Sequence, residues 1–144
     1  MTNDLRQIDR TTCEALLITC SDFRFKAAER RFIDAAGLAG DYDLIARPGA
    51  VRSLVLPRSA AARETMEEEI RLLWSLHKFR RILALNHLSC RAYDDIVTAV
   101  NERETHIDHL RRAGPVLEGR FSGVRAELYL ADITPRGIEV VSVT

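Results

Sequence analysis

Two apolar segments of the chain each end in side chains whose types suit catalysis or metal binding. Residues 15–19 and residues 81–85 are rich in aliphatic side chains, which at this length is typical of buried strands. The side chains that follow these segments are Cys20, Asp22, Arg24, His87 and Cys90. Two thiols and one imidazole suit Zn²⁺, which prefers tetrahedral coordination by nitrogen and sulfur. We therefore predict that Cys20, His87 and Cys90 bind zinc.

The fourth coordination position decides whether such a zinc site is structural or catalytic. Three protein ligands and one water are typical of a catalytic site, whereas four protein ligands close a structural one. Asp22 could close the site, or Arg24 could hold the carboxylate away from the metal through a bidentate pair. In the second case zinc lowers the pKa of its water to about 7, which generates hydroxide at neutral pH. Asp22 would be placed to orient that water or to accept its proton.

Composition restricts the classes of partner. Lys plus Arg and Asp plus Glu each number 21, so no excess of charge directs the chain to nucleic acid or to an anionic membrane. No apolar run approaches the roughly 20 residues of a membrane span, and the polar first residues do not resemble a secretory signal. We expect a soluble, cytoplasmic protein that binds no nucleic acid and no membrane.

Length and cysteine content bound the organisation of the chain. At 144 residues the chain fits one domain, which we predict over residues 1–144 with residues 1–12 as an N-terminal arm. Three cysteines in a reducing compartment indicate metal binding or catalysis rather than a disulfide framework. Cys13 is then the cysteine without an assigned role.

The order of the elements is typical of an α/β protein. Apolar runs and Gly/Pro punctuation predict strands at residues 14–20, 43–46, 80–86, 123–132 and 137–143, with a loop at residues 49–57. Helical periodicity predicts helices at residues 26–38, at residues 59–77, and from Tyr93 toward Gly114. We predict a mostly parallel central sheet flanked by helices, with a C-terminal antiparallel edge.

The predicted topology brings the two motifs together. If the first strand lies between the second and the third, the winding direction of the chain reverses between strands one and three. Ligands in open α/β sheets bind at such a reversal, in the crevice beyond the carboxyl ends of the strands. Cys20, His87 and Cys90 would all lie at this position. The remaining histidines receive other roles: His106 and His109 are assigned to a solvated helix face, and His77 to contacts with helix-end carbonyls.

These motifs resemble those of the β-class carbonic anhydrases. Cys-x-Asp-x-Arg at residues 20–24 and His-x-x-Cys at residues 87–90 are separated by a turn that begins at Arg47, and the resemblance runs from about residue 14 to the C-terminus. It implies the β-carbonic-anhydrase fold and zinc bound by the two cysteines and the histidine. It also implies a gating pair of Asp22 and Arg24, and reversible hydration of carbon dioxide to bicarbonate.

The resemblance further implies a homodimer with its cleft at the subunit boundary. The candidate residues for contact with carbon dioxide or bicarbonate are Phe23, Leu88, Tyr93 and Arg47. The chain also departs from the family pattern at two places. Pro-Gly-Ala-Val at residues 48–51 replaces the usual Asn-Ala-Gly-Asn, and Asn86 and Arg91 replace the glycines that usually flank His-x-x-Cys.

Three functions are compatible with this sequence. The first is zinc-dependent hydration of carbon dioxide. The second is hydrolysis of another small heterocumulene, such as carbonyl sulfide or carbon disulfide, by the same zinc centre. The third is a non-catalytic, carbonic-anhydrase-like protein that keeps the metal for stability or has lost it, and that acts through its dimer surface. The residues at 48–51 and Arg91 keep this possibility open.

Overall fold

The computed structural model describes residues 3–144, which contain a five-stranded sheet in the order β2-β1-β3-β4-β5. The strands are β1 (Ala15–Thr19), β2 (Tyr42–Ala46), β3 (Arg81–His87), β4 (Arg125–Thr134) and β5 (Gly137–Ser142). The first four strands are parallel to their neighbours, and β5 pairs antiparallel with β4. The predicted α/β fold with a C-terminal antiparallel edge is confirmed.

Strand β1 lies between β2 and β3 in the sheet. Leu17 pairs with Leu44 of β2 on one side and with Leu83 of β3 on the other. All five residues of β1 are buried, as expected for a strand covered on both faces. The winding direction therefore reverses between β1 and β3, as the sequence predicted for a first strand that lies between the second and the third.

The α-helices of the described residues are α1 (Asn3–Ile8), α2 (Lys26–Ala35), α3 (Arg52–Val55), α4 (Ala60–His77) and α5 (Glu102–Arg120). Helices α2, α4 and α5 cover the two faces of the sheet. Leu16 and Ile18 of β1 pack in a core with residues of α4 and α5, whereas Leu17 packs on the other face with Ile33 of α2. This alternation follows from the two-residue period of a strand. Among residues 3–144, no helix has the length and apolar character needed to cross a bilayer.

Helix α5 differs from the prediction at both ends. Residues 91–93 form a short 3₁₀ turn instead of a first helical turn, and the helix begins only at Glu102. It then continues to Arg120 with Pro115 inside it, although proline removes a helical hydrogen bond. Burial of Ala113 and Leu117 against the sheet on either side of this proline favours the helix beyond it.

The N-terminal segment is more ordered than an unstructured arm. Met1 and Thr2 lie outside the described residues, but α1 is helical, and the side chain of Gln7 donates a hydrogen bond to the carbonyl of Gly40. Arg10 forms an ion pair with Asp41 at 2.5 Å. The predicted loop at residues 49–57 likewise contains α3, whose first residue, Arg52, is buried.

The predicted roles of three histidines are wrong. His106 and His109 are 0% and 4% exposed, because α5 packs their face against the segment that follows β3. Nδ1 of His106 lies 3.0 Å from the Asn86 amide, and Nδ1 of His109 lies 2.9 Å from the Tyr93 hydroxyl. Nδ1 of His77 lies 2.7 Å from a carboxylate oxygen of Asp43 instead of bonding helix-end carbonyls.

The buried histidine makes stability depend on pH. Burial lowers the pKa of His106 to about 3, so unfolding takes up a proton between pH 6.5 and about 3. The contribution of His106 to stability is complete above pH 6.5 and is lost as the pH falls, at up to about 1.4 kcal/mol per pH unit. We expect His106→Asn, whose side-chain oxygen can accept the bond from Asn86, to show a shallower loss of stability.

Urea titrations between pH 6.5 and 4.5 measure this slope for both proteins. The range lies above the titration of most carboxylates, and His109 is present in both chains. Equal slopes for wild type and His106→Asn would contradict the assignment of the pH dependence to His106.

Candidate metal centre

The structure brings together the three side chains that the sequence singled out as metal ligands. Cys20 follows β1, His87 is the last residue of β3, and Cys90 lies three residues further along the chain. Their exposed fractions are 5%, 3% and 2%. The ligand atoms lie within 4.8 Å of one another, and the two sulfurs are 3.9 Å apart.

The imidazole of His87 presents a free nitrogen to this cluster. Its Nδ1 donates a hydrogen bond of 2.7 Å to the carbonyl of Leu88, which leaves Nε2 as the atom with a lone pair. Among the described residues, Nε2 is buried without a hydrogen-bond partner. The ring of Phe25 stacks on the imidazole at a centroid distance of 3.9 Å and fixes its plane. A buried, unpartnered acceptor of this kind fits a metal ligand.

The two thiols are hydrogen-bonded to each other. This hydrogen bond lowers the pKa of Cys20 to about 4, and the N–H of Gly49 acts in the same direction. The same hydrogen bond, together with burial, raises the pKa of Cys90. Cys20 is therefore the thiol that loses its proton more readily, and a cation bound by both sulfurs would displace the thiol protons. Two sulfurs and one imidazole nitrogen fit Zn²⁺.

Two residues at the centre adopt the left-handed backbone conformation. Ser89, inside the His-x-x-Cys turn, has φ +57°, and Ala50 has φ +48°. This conformation costs a residue other than glycine roughly 1–2 kcal/mol. Ser89 is held in it from both sides, because its N–H donates to Glu102 at 2.5 Å and its carbonyl accepts from Arg24 at 2.7 Å. Such strain is typical of functional sites.

Asp22 and Arg24 form the pair that the sequence suggested. Nε of Arg24 lies 3.1 Å from each carboxylate oxygen, and Nη2 lies 2.6 Å from Oδ2. The hydrogen bonds from Arg24 lower the pKa of Asp22 to about 2. Oδ2 also lies 3.7 Å from Nε2 of His87, the free nitrogen of the centre. An ionised, oriented carboxylate therefore lies directly beside the ligand atoms.

The four candidate substrate contacts lie in different environments. Phe23, between Asp22 and Arg24, is 84% exposed, and Leu88 is partly buried against the main core. Tyr93 is fully buried, with its hydroxyl bonded to His109 and Asn86. Arg47 forms an ion pair with Glu69 of α4.

Sequence reasoning missed a polar network behind the metal centre. The amide of Asn86 donates to the Tyr93 hydroxyl at 3.1 Å and to Nδ1 of His106 at 3.0 Å, and its oxygen accepts from the N–H of Val51 at 3.4 Å. Asn86 and Val51 both lie where the chain departs from the family pattern, so the two departures contact each other. The sequence did contain a signal for this network, since Asn86 is a polar residue inside an otherwise apolar strand and directly precedes the predicted ligand His87.

A buried arginine supports the turn after Cys90. Arg52 is 6% exposed and binds both carboxylate oxygens of Asp95, at 2.6 and 2.8 Å. It also donates to the carbonyl of Ala92 at 2.5 Å. The end of β1 is supported in a similar way by Lys26, which donates to the carbonyl of Cys20 at 2.5 Å and pairs with Glu29.

Comparison with known proteins identifies the class. Residues 10–136 match the family described as "Putative carbonic anhydrase". The chain belongs to this carbonic anhydrase family. It is 30% identical over 121 residues to an uncharacterized protein of Rickettsia bellii, which covers 80% of this chain and 74% of that protein. An uncharacterized protein of Rickettsia conorii is 27% identical over 121 residues, with 80% and 65% of the two chains covered.

Solved structures show the same fold. The carbonic anhydrase of Streptococcus mutans has a TM-score of 0.61 at 15% identity, over 94% of this chain and 84% of that one. The carbonic anhydrase of Glaciozyma antarctica has a TM-score of 0.55 at 13% identity, over 99% and 89%. A structure from a report on two tetrameric β-carbonic anhydrases of Sordaria macrospora has a TM-score of 0.51 at 13% identity, over 96% and 85%.

Gly49 provides a test of how tightly the centre is packed. Its φ is +83°, its N–H donates to the sulfur of Cys20 at 3.4 Å, and an added Cβ would lie 3.3 Å from Cβ of Arg52. Gly123 has a similar φ of +80° with no atom within 4 Å of such a Cβ, so it is a matched control. Both alanine variants lose roughly 1–2 kcal/mol to backbone strain.

We expect Gly49→Ala to lose about 1 kcal/mol more than Gly123→Ala, because only at Gly49 must neighbouring atoms move. We also expect its zinc affinity to fall, while that of Gly123→Ala is unchanged. Urea denaturation and competitive zinc titration measure the two effects. Equal losses of stability in the two variants would contradict the close packing at Gly49.

Proposed function

We propose that this protein catalyses the reversible hydration of carbon dioxide to bicarbonate, with zinc held by Cys20, His87 and Cys90. The observation that carries the proposal is the convergence of three buried donor atoms within 4.8 Å, beside a carboxylate held by a guanidinium. Membership of the carbonic anhydrase family supports a lyase of this kind. When bound, zinc acts as a Lewis acid that lowers the pKa of a coordinated water toward 7.

Asp22 and Arg24 would orient the reacting water. Arg24 binds both oxygens of Asp22, so the carboxylate is unavailable as a fourth metal ligand. Asp22 is ionised because Arg24 lowers its pKa to about 2, and we assign it to orient the reacting water. The carbonyl of Ser89 accepts a second bond from Arg24 at 2.7 Å, which fixes the guanidinium in this position.

We also propose a homodimer with the substrate cleft at its boundary. Leu44, Leu72 and Leu76 are 51%, 56% and 55% exposed, and Leu44 belongs to the edge strand β2. A cavity of about 340 Å³ between β2 and α4 includes Leu44 and Leu72 in its lining. The tetrameric description of the Sordaria macrospora proteins supports oligomer formation.

Two apolar side chains beside the metal centre are the proposed contacts of carbon dioxide. Phe23, which is 84% exposed beside Asp22, and Leu88, next to His87, would be the apolar contacts of the substrate. We place the protein in the cytoplasm, because zinc binding requires Cys20 and Cys90 to remain reduced and a reducing compartment keeps thiols in that state.

Stopped-flow measurement of carbon dioxide hydration tests the activity. We expect zinc-loaded protein to accelerate hydration well above the buffer rate, and Cys90→Ser to lose both the metal of this centre and the activity, since hydroxyl is a poor replacement for thiolate on zinc. Zinc-replete protein with no acceleration would refute the proposal. Hydrolysis of carbonyl sulfide or carbon disulfide without hydration of carbon dioxide would instead support the related hydrolase.

The role of the carboxylate–guanidinium pair is tested by Arg24→Ala. Without Arg24, the carboxylate of Asp22 is free to coordinate the metal, so we expect the hydration rate to fall by roughly 10²-fold or more while the zinc content is unchanged. Arg136→Ala, at an arginine side chain that is 83% exposed and paired with Glu139, is the matched control and should keep full activity. An active Arg24→Ala variant would exclude the gating role.

A further inference from the structure

We propose that Cys13, Asp43 and His77 form a second Zn²⁺ site at the other end of β1. Cys13 lies just before β1, Asp43 is the second residue of β2, and His77 is the last residue of α4. Their ligand atoms lie within 4.8 Å of one another. Cys13 and Cys20 are separated by the extended strand β1, which at about 3.3 Å per residue places the two centres roughly 20 Å apart.

The backbone holds the three ligands in place. The N–H of Cys13 donates a hydrogen bond of 3.2 Å to the carbonyl of His77, which joins the segment before β1 to the end of α4. Asp43 is fixed by the pairing of β2 with β1, opposite Leu16. Oδ2 of Asp43 lies 2.7 Å from Nδ1 of His77. Since backbone hydrogen bonds and strand pairing already hold the three segments, little chain entropy is lost when a cation binds.

The chemistry of the three donors selects the class of metal. Calcium and magnesium prefer sites made entirely of oxygen ligands, whereas thiolate and imidazole suit zinc and its close analogues. Zinc is bound in proteins by cysteine, histidine and aspartate at about 2.0–2.3 Å. Three protein ligands leave a further position for water.

Solvent and a cation can reach this cluster. A cavity of about 260 Å³ includes Cys13, Asp43 and His77 in its lining. The side chains of His77 and Asp43 are 40% and 17% exposed. Arg10 lines the same cavity, but its guanidinium is bound to Asp41 at 2.5 Å and to the carbonyl of Gly40 at 3.3 Å, so its positive charge is already balanced.

Zinc at this position would act as a clamp. It would connect the N-terminal segment that carries α1 to the end of α4 and the start of β2, three elements that meet at the amino end of the sheet. A ligand that binds only the folded chain increases its stability with concentration. This role is independent of the hydration reaction.

Metal content measured on four proteins tests the proposal. Wild type, Cys13→Ser, Cys90→Ser and the double variant are dialysed against buffered Zn²⁺ and analysed by mass spectrometry for zinc, with circular dichroism to confirm folding. We expect about two ions per chain in wild type, about one in each single variant and none in the double variant. Wild type and Cys13→Ser with the same zinc content would overturn the second site.

A spectroscopic measurement keeps the test independent of the first centre. In a background that carries both Cys20→Ser and Cys90→Ser, we expect Co²⁺ added in place of zinc to give a thiolate-to-cobalt absorption band in the near ultraviolet, since Cys13 is then the one cysteine left in the sequence. Adding Asp43→Asn, which keeps a hydrogen-bonding group opposite His77, should weaken the binding of Co²⁺ about tenfold. A cobalt band that persists after Cys13→Ser would show that Cys13 is not a ligand.

Discussion

The parallel pairing of β1 with β3 is the constraint on which the candidate metal centre depends. Thr19 lies opposite Leu85 in this register, so the chain leaves both strands at the same edge of the sheet. Strand pairing therefore brings Cys20 and His87 together, although they are distant in the sequence. A shift of one residue in either strand would turn its side chains to the opposite face, and the donor atoms would no longer converge.

The backbone strain beside the metal centre is offset by hydrogen bonds. Ser89, directly before Cys90, has the left-handed conformation, and it is hydrogen-bonded to Glu102 and to Arg24. Arg24 therefore stabilises the turn of the metal centre and orients Asp22 with the same guanidinium. This double use explains how a side chain that is largely at the surface affects the geometry of buried ligands.

The departures from the usual family pattern are joined in the folded chain. Asn86 replaces a glycine beside His87, and its oxygen accepts the N–H of Val51 in the altered turn. Its amide group also bonds Tyr93 and His106, which are both fully buried. A buried amide, imidazole and hydroxyl are stable only as a connected network, so these positions depend on one another. The side of the metal centre formed by Asn86, Tyr93 and His106 is therefore polar and rigid.

The sequence alone determined the succession of strands and helices along the chain and the mostly parallel α/β fold, and it singled out Cys20, His87 and Cys90 as candidate metal ligands. It could do so because apolar runs, turn residues and short motif spacings are local properties of the chain. The structure placed His106 and His109 in the core, because helical periodicity shows which residues share a face but not which face another element covers. Only the structure brought Cys13, Asp43 and His77 together, since they belong to distant segments whose proximity depends on how α4 packs against the sheet.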